Sequence, residues 1–127
     1  MKRLFTIVSL LMLSFSAMAE QNSENGVVFD KNVFDFGNVQ RENRDYSCSF
    51  IIENRAEKPL VVLSVKTSCS CLKAKYSRRP LKIGEKSTIV MTLEAGKMEP
   101  GIFHRVVEVE TNAGVYRIVV RGNSVEK

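Results

Sequence analysis

From residue 27 onward, apolar positions recur every second residue in short runs separated by polar or Gly/Pro-bearing breaks. That period belongs to half-buried β-strands. Val27-Val28-Phe29 and Val33-Phe34-Asp35-Phe36 open the series and stop at Gly37-Asn38. In residues 46–52, Tyr46, Cys48, Phe50 and Ile52 share one face, and the polar residues 53–59 predict a turn. Residues 60–65 are nearly continuous in Leu and Val, as in a central strand buried on both faces. Residues 71–76 form a weaker strand, and Pro80, Gly84 and the charges between them predict a loop. Ile89, Met91 and Leu93 alternate with Thr88, Val90 and Thr92, and residues 96–101 turn the chain. Phe103, Val107 and Val109 form the next inward set, Asn112-Ala113-Gly114 signals a hairpin, and Tyr116, Ile118 and Val120 end the pattern before Gly122. Phe50, Leu63, Ile89, Val107 and Ile118 are the expected core.

Seven or eight antiparallel strands at spacings of roughly ten residues, without a helical period, predict an all-β protein. The expected architecture is an immunoglobulin-like β-sandwich over residues 27–122, with 123–127 as a C-terminal tail. A two-sheet sandwich fits better than a closed barrel. No internal repeat or low-complexity segment interrupts it.

The first residues read differently. Met1-Lys2-Arg3 is basic, residues 4–15 are apolar apart from Thr6, Ser9 and Ser14, and Ala17-Met18-Ala19 supplies small residues. This is the pattern of a secretory signal peptide at 1–19, too short to span a bilayer and followed by a polar leader at 20–26. No cysteine stands at the expected cleavage point, so lipid attachment is not expected there. The protein is therefore expected in the periplasm or secreted, and not integral to a membrane after cleavage. Removing residues 1–19 from 127 leaves 108, enough for one domain with its own core. Losing Lys2 and Arg3 lowers the formal charge from +5 to +3. So mild a charge outside the cytoplasm argues against a nucleic-acid partner.

Several short motifs occur in order: Phe34-Asp35-Phe36-Gly37-Asn38-Val39, Phe50-Ile51-Ile52-Glu53-Asn54, Pro59-Leu60 and Ser68-Cys69-Ser70-Cys71. Pro80-Leu81-Lys82-Ile83-Gly84-Glu85 and Gly101-Ile102-Phe103 through Thr111-Asn112-Ala113 continue the series. In these the chain resembles the bacterial family catalogued as domain of unknown function 1573, whose most distinctive element is the Cys-x-Cys between two strands. Ser70 and Leu72 stand where that family usually carries a glycine-like small residue and a threonine. The resemblance implies an immunoglobulin-like fold, more distantly similar to Hydin, major sperm protein and pilus-chaperone sandwiches. It also implies an exported binding or scaffolding module, with no reaction attached.

Three cysteines cannot all pair within one chain. Cys48 shares an apolar face and is expected to be a buried small hydrophobe. If the turn is centred between Glu53 and Leu60, Cys48 lies level with Val65 and roughly 13 Å short of Cys69 at strand rise. That exceeds the reach of a disulfide unless a bulge shortens it, so a Cys48–Cys69 pairing stays open as the lesser alternative. Val61, Leu63 and Val65 set odd positions inward, whereas Leu72, Ala74 and Tyr76 set even ones inward, so the chain is expected to bend between them. Beyond the bend Cys71 is expected on the outer face with Lys73 and Lys75, where a thiol is biased toward thiolate. Cys69 and Cys71 then either join as a small structural loop, sit as inert thiols, or form a live site. As a live site they would suit thiol-redox chemistry, or Cu(I) with Met98 and His104 at the same pole of the domain.

Lys73, Lys75, Arg78, Arg79 and Lys82 lie in the densest basic stretch, ordinarily a solvated edge. As a binding surface it would face an acidic partner. A lone histidine, no nucleophile motif, and Glu108 and Glu110 on an outward face argue against an enzyme. The expected function is a non-enzymatic envelope module holding a protein or glycan, without a cofactor; the alternative is the thiol-redox or Cu(I) protein.

Overall fold

The computed structural model describes residues 23–24, 26–42 and 44–126. The expected signal peptide lies outside the described residues, as does most of the leader. The described residues form nine strands and one short 3-10 turn. They are β1 (Ser23–Glu24), β2 (Val27–Phe29), β3 (Val33–Gln40), β4 (Asp45–Asn54), β5 (Val62–Thr67), β6 (Leu72–Lys75), β7 (Lys86–Glu94), β8 (Gly101–Thr111) and β9 (Gly114–Val125). The 3-10 turn is Ala95–Lys97.

Two sheets face each other. The first has the order β1-β2-β4-β7-β6 and the second β3-β9-β8-β5, a sandwich as the alternation predicts. Its core is filled from both inner faces. Cys48, Phe50 and Ile52 of β4 and Ile89, Met91 and Leu93 of β7 meet Phe103, Val107 and Val109 of β8 and Tyr116, Ile118 and Val120 of β9, all buried. β8 and β9 form a hairpin closed by Asn112-Ala113, with Thr111 opposite Gly114. β9 runs on through Gly122 to Val125, so the sheet takes in most of the segment expected to be a tail.

Three placements differ from the sequence expectations. β3 pairs with β9 in parallel, Val33 opposite Val119 and Val39 opposite Ser124, so the strands are not all antiparallel. The short crossing at 30–32 carries the chain from the first sheet to the far edge of the second. There Val119 N–H donates to the Asn32 carbonyl at 2.8 Å and Ile51 N–H donates to Asp30 Oδ1 at 2.8 Å. β5 is not a central strand: among the described residues it pairs only with β8 and forms the edge of its sheet. A register shift between Val62 and Ser64 turns Leu63 outward, 45% exposed, while Val62 is buried. Finally, β4 and β5 lie in different sheets, so Cys48 faces Met91 of β7 rather than Val65.

β3 itself is kinked between Asp35 and Asn38. Gly37 takes φ +68°, the left-handed region, and its N–H donates to Asp35 Oδ1 at 2.8 Å. The kink brings the Gly37 carbonyl over β9 so closely that a Cβ on Gly122 would stand 2.8 Å from it and 2.8 Å from Phe103 Cζ.

Candidate functional site

β5 ends at Thr67, opposite Val107 in the second sheet, and β6 begins at Leu72, opposite Leu93 in the first. The Cys-x-Cys segment is thus the chain's crossing between the two sheets, which is where the sequence expects a bend. The crossing is a tight turn in which Leu72 N–H donates to the Cys69 carbonyl at 3.2 Å. Thr67 Oγ1 donates to the same carbonyl at 2.8 Å, and Glu94 N–H donates to the Cys71 carbonyl at 2.7 Å, tying the turn to β7.

Within the turn Cys69 and Cys71 are joined as a disulfide, with Cα atoms 5.1 Å apart. The two ends are not equivalent. Cys71 is fully buried, whereas Cys69 is half-buried and packs on the margin of the core. Cys71 N–H points at Cys69 Sγ, 3.2 Å away. The expectation that Cys71 shares an outward face with Lys73 and Lys75 is therefore corrected. Strand parity holds for Leu72, Lys73 and Ala74, but Cys71 belongs to the turn, where alternation no longer governs. Two successive side chains, Cys71 and Leu72, point inward.

Cys48 is a free, buried thiol. Burial pushes it up to about 11, only partly opposed by the positive charge of Lys31.

Met98 and His104 do not converge on the cysteines. Met98 is buried in the core after the 3-10 turn, its carbonyl accepting from Arg41 Nε at 2.6 Å. His104 is exposed on the outer face of β8, opposite Arg121 of β9. The set expected for Cu(I) is thus divided between a disulfide, the core and an outer surface. Among the described residues no three His, Cys, Asp or Glu side chains gather to hold a metal.

The basic stretch is placed as expected, on an edge. Among the described residues β6 pairs with β7 alone, and Lys73 and Lys75 project from its outer face. Two of the five cations have carboxylate partners. Lys73 Nζ lies 2.7 Å from Glu94 Oε1, and Arg79 lies 3.2 Å from Glu85. Hydrogen bonds from Lys73 and then Lys97 hold the Glu94 carboxyl below the usual range, and the same contact raises Lys73. Lys75, Arg78 and Lys82 are exposed and make no ion pair among the described residues. Glu108 and Glu110 are outward, as expected, near Arg117 and Lys66 respectively.

The sequence reading missed a groove of about 340 Å³ where the β3 kink opens the second sheet. Asp35, Asn38, His104, Arg121 and Asn123 line it beside Ile102, which is 90% exposed. Gly37 inside an alternating run was the available signal, since a glycine within a strand marks a bulge.

The family described as "Protein of unknown function (DUF1573)" matches residues 27–124. No curated protein sequence matches significantly. Among solved structures, a protein of unknown function from Porphyromonas gingivalis W83 superposes with a TM-score of 0.67 at 20% identity, over 87% of this chain. This chain spans about half of that protein, 51%. The seventh PapD-like domain of human CEP192, an ASH/PapD-like domain, gives 0.68 at 10% identity, covering 91% of this chain and 98% of that one. WR4, a major sperm protein family member of Caenorhabditis elegans, gives 0.54 at 11% identity, covering 80% and 100%. These likenesses are of fold, the PapD-like and major-sperm-protein variety of the immunoglobulin-like sandwich.

Proposed function

The chain belongs to the DUF1573 family over residues 27–124, and from that footing we propose that it is an exported, non-enzymatic binding module of the cell envelope. One observation carries the reading. β6 is an edge strand without a second strand partner among the described residues, and Lys75, Arg78 and Lys82 follow one another along it and the loop behind it, uncompensated. An open edge offers backbone donors and acceptors to an incoming chain, and unpaired cations favour an acidic one. The partner is an envelope protein or glycan rich in carboxylates. Export rests on the basic and apolar pattern of residues 1–19.

The test is a photo-crosslinking residue at position 75 of the full chain in intact cells, with the product identified by mass spectrometry. A discrete adduct is expected, its yield falling several-fold in Arg78→Glu/Lys82→Glu. The same probe at Val115, exposed on the opposite sheet, should capture far less. Equal capture at both positions, or none at 75, would remove the reading.

A further inference from the structure

We propose that Cys69 and Cys71 form a thiol–disulfide exchange site, in which Cys69 meets a low-molecular-weight thiol or disulfide and Cys71 resolves the adduct. The proposal does not rest on the binding-module reading, since it concerns the sheet crossing and not the β6 edge.

Three observations point to it. The first is asymmetry: Cys69 is half-buried while Cys71 is fully buried, so of the two residues Cys69 alone presents surface to an approaching sulfur. The second is the Cys71 N–H aimed at Cys69 Sγ at 3.2 Å. A backbone donor on a sulfur favours its thiolate, the nucleophilic and better-leaving form. Among the described residues no such donor is directed at the Cys71 sulfur. The third is that both ends stay anchored without the S–S bond. The Cys69 carbonyl accepts from Leu72 N–H and Thr67 Oγ1, and the Cys71 carbonyl accepts from Glu94 N–H. These bonds do not involve the sulfurs, so they can hold the two Cα atoms near their 5.1 Å separation after reduction, within the span a disulfide needs to re-form.

The exchange runs as follows. A small thiolate attacks Cys69 Sγ, and the Cys69–Cys71 bond breaks. Cys71 Sγ takes the electron pair and a proton from water, and the small molecule is left disulfide-bonded to Cys69. A second small thiolate attacks the outer sulfur of that adduct, and Cys69 leaves as thiolate. Net, two small thiols lose two electrons and two protons to become one disulfide, and the protein pair gains them as a dithiol. In the reverse direction the dithiol reduces a small disulfide. Cys48, protonated and buried on β4, takes no part.

The experiment uses oxidised glutathione with the folded, reduced protein at about pH 8. Wild type should release two equivalents of reduced glutathione and end as the Cys69–Cys71 disulfide, and acid quenching should trap the glutathione adduct on Cys69. Cys71→Ser should become glutathionylated about tenfold faster than Cys69→Ser, or more. Equal rates, an adduct found first on Cys71, or a folded dithiol inert to oxidised glutathione would each overturn the proposal. Should either variant fold poorly, the site of the trapped wild-type adduct decides alone.

Discussion

Cys48 and Cys71 are both interior sulfurs, but only Cys48 has a proton to lose. Its thiol ionises near 9.0 in ordinary surroundings and near about 11 in the folded domain, because a thiolate among Phe50, Ile52 and Met91 would forfeit its hydration. Below pH 9 both folded and unfolded chains keep the proton, and the stabilisation of the protonated fold is present in full. Between about pH 9 and 11 the unfolded chain releases it first, so stability falls as pH rises through that window. The expected loss is roughly 2–3 kcal/mol. Denaturant titrations across that range should show it in the wild type, with a visibly flatter decline in Cys48→Ala. Other titrating groups affect both proteins alike. Parallel curves for the two would mean that Cys48 is not shielded as the structure has it.

At the scale of elements, β5 separates what alternation reveals from what it hides. The inward sets of β4, β7, β8 and β9 were legible because each strand pairs on both sides and one residue in two faces the core. β5 has the composition of a central strand yet lies at an edge, and its bulge sends Val62 inward and Leu63 outward. Leu63→Ala should therefore shift stability by no more than about 0.5 kcal/mol, whereas Phe50→Ala, which empties a fully buried site, should cost about 3–5 kcal/mol. Denaturation midpoints of the two variants check this, and a large loss at Leu63 would put it back in the core. The same limit explains the candidate site. The bend at Cys69 and Cys71 was legible from the change of parity around it, but the burial of Cys71 was not, because a turn residue has no parity. The Lys75–Lys82 edge was legible from charge alone. The parallel pairing of β3 with β9 left no local trace, since it joins segments at opposite ends of the domain.

For the whole molecule, the two sheets share one core and the family match covers that unit from 27 to 124. Export is expected to deliver it without residues 1–19: intact mass of the exported protein should correspond to a chain starting at Glu20, and Met1 retained in a membrane fraction would contradict this. The parallel β3–β9 pair also sets an order of events. Val33 and Val119 are neighbours in the finished sheet, and closing a loop of that length costs on the order of 4 kcal/mol before any contact is made. The β8–β9 hairpin, closed by two residues, is the cheaper pairing and forms earlier. Between the two events the far side of β9 is a bare strand edge carrying Val119 and Val120. That interval is when a second copy can donate its own β3, making strand exchange and aggregation kinetic hazards of a slowly closing domain rather than properties of the native one.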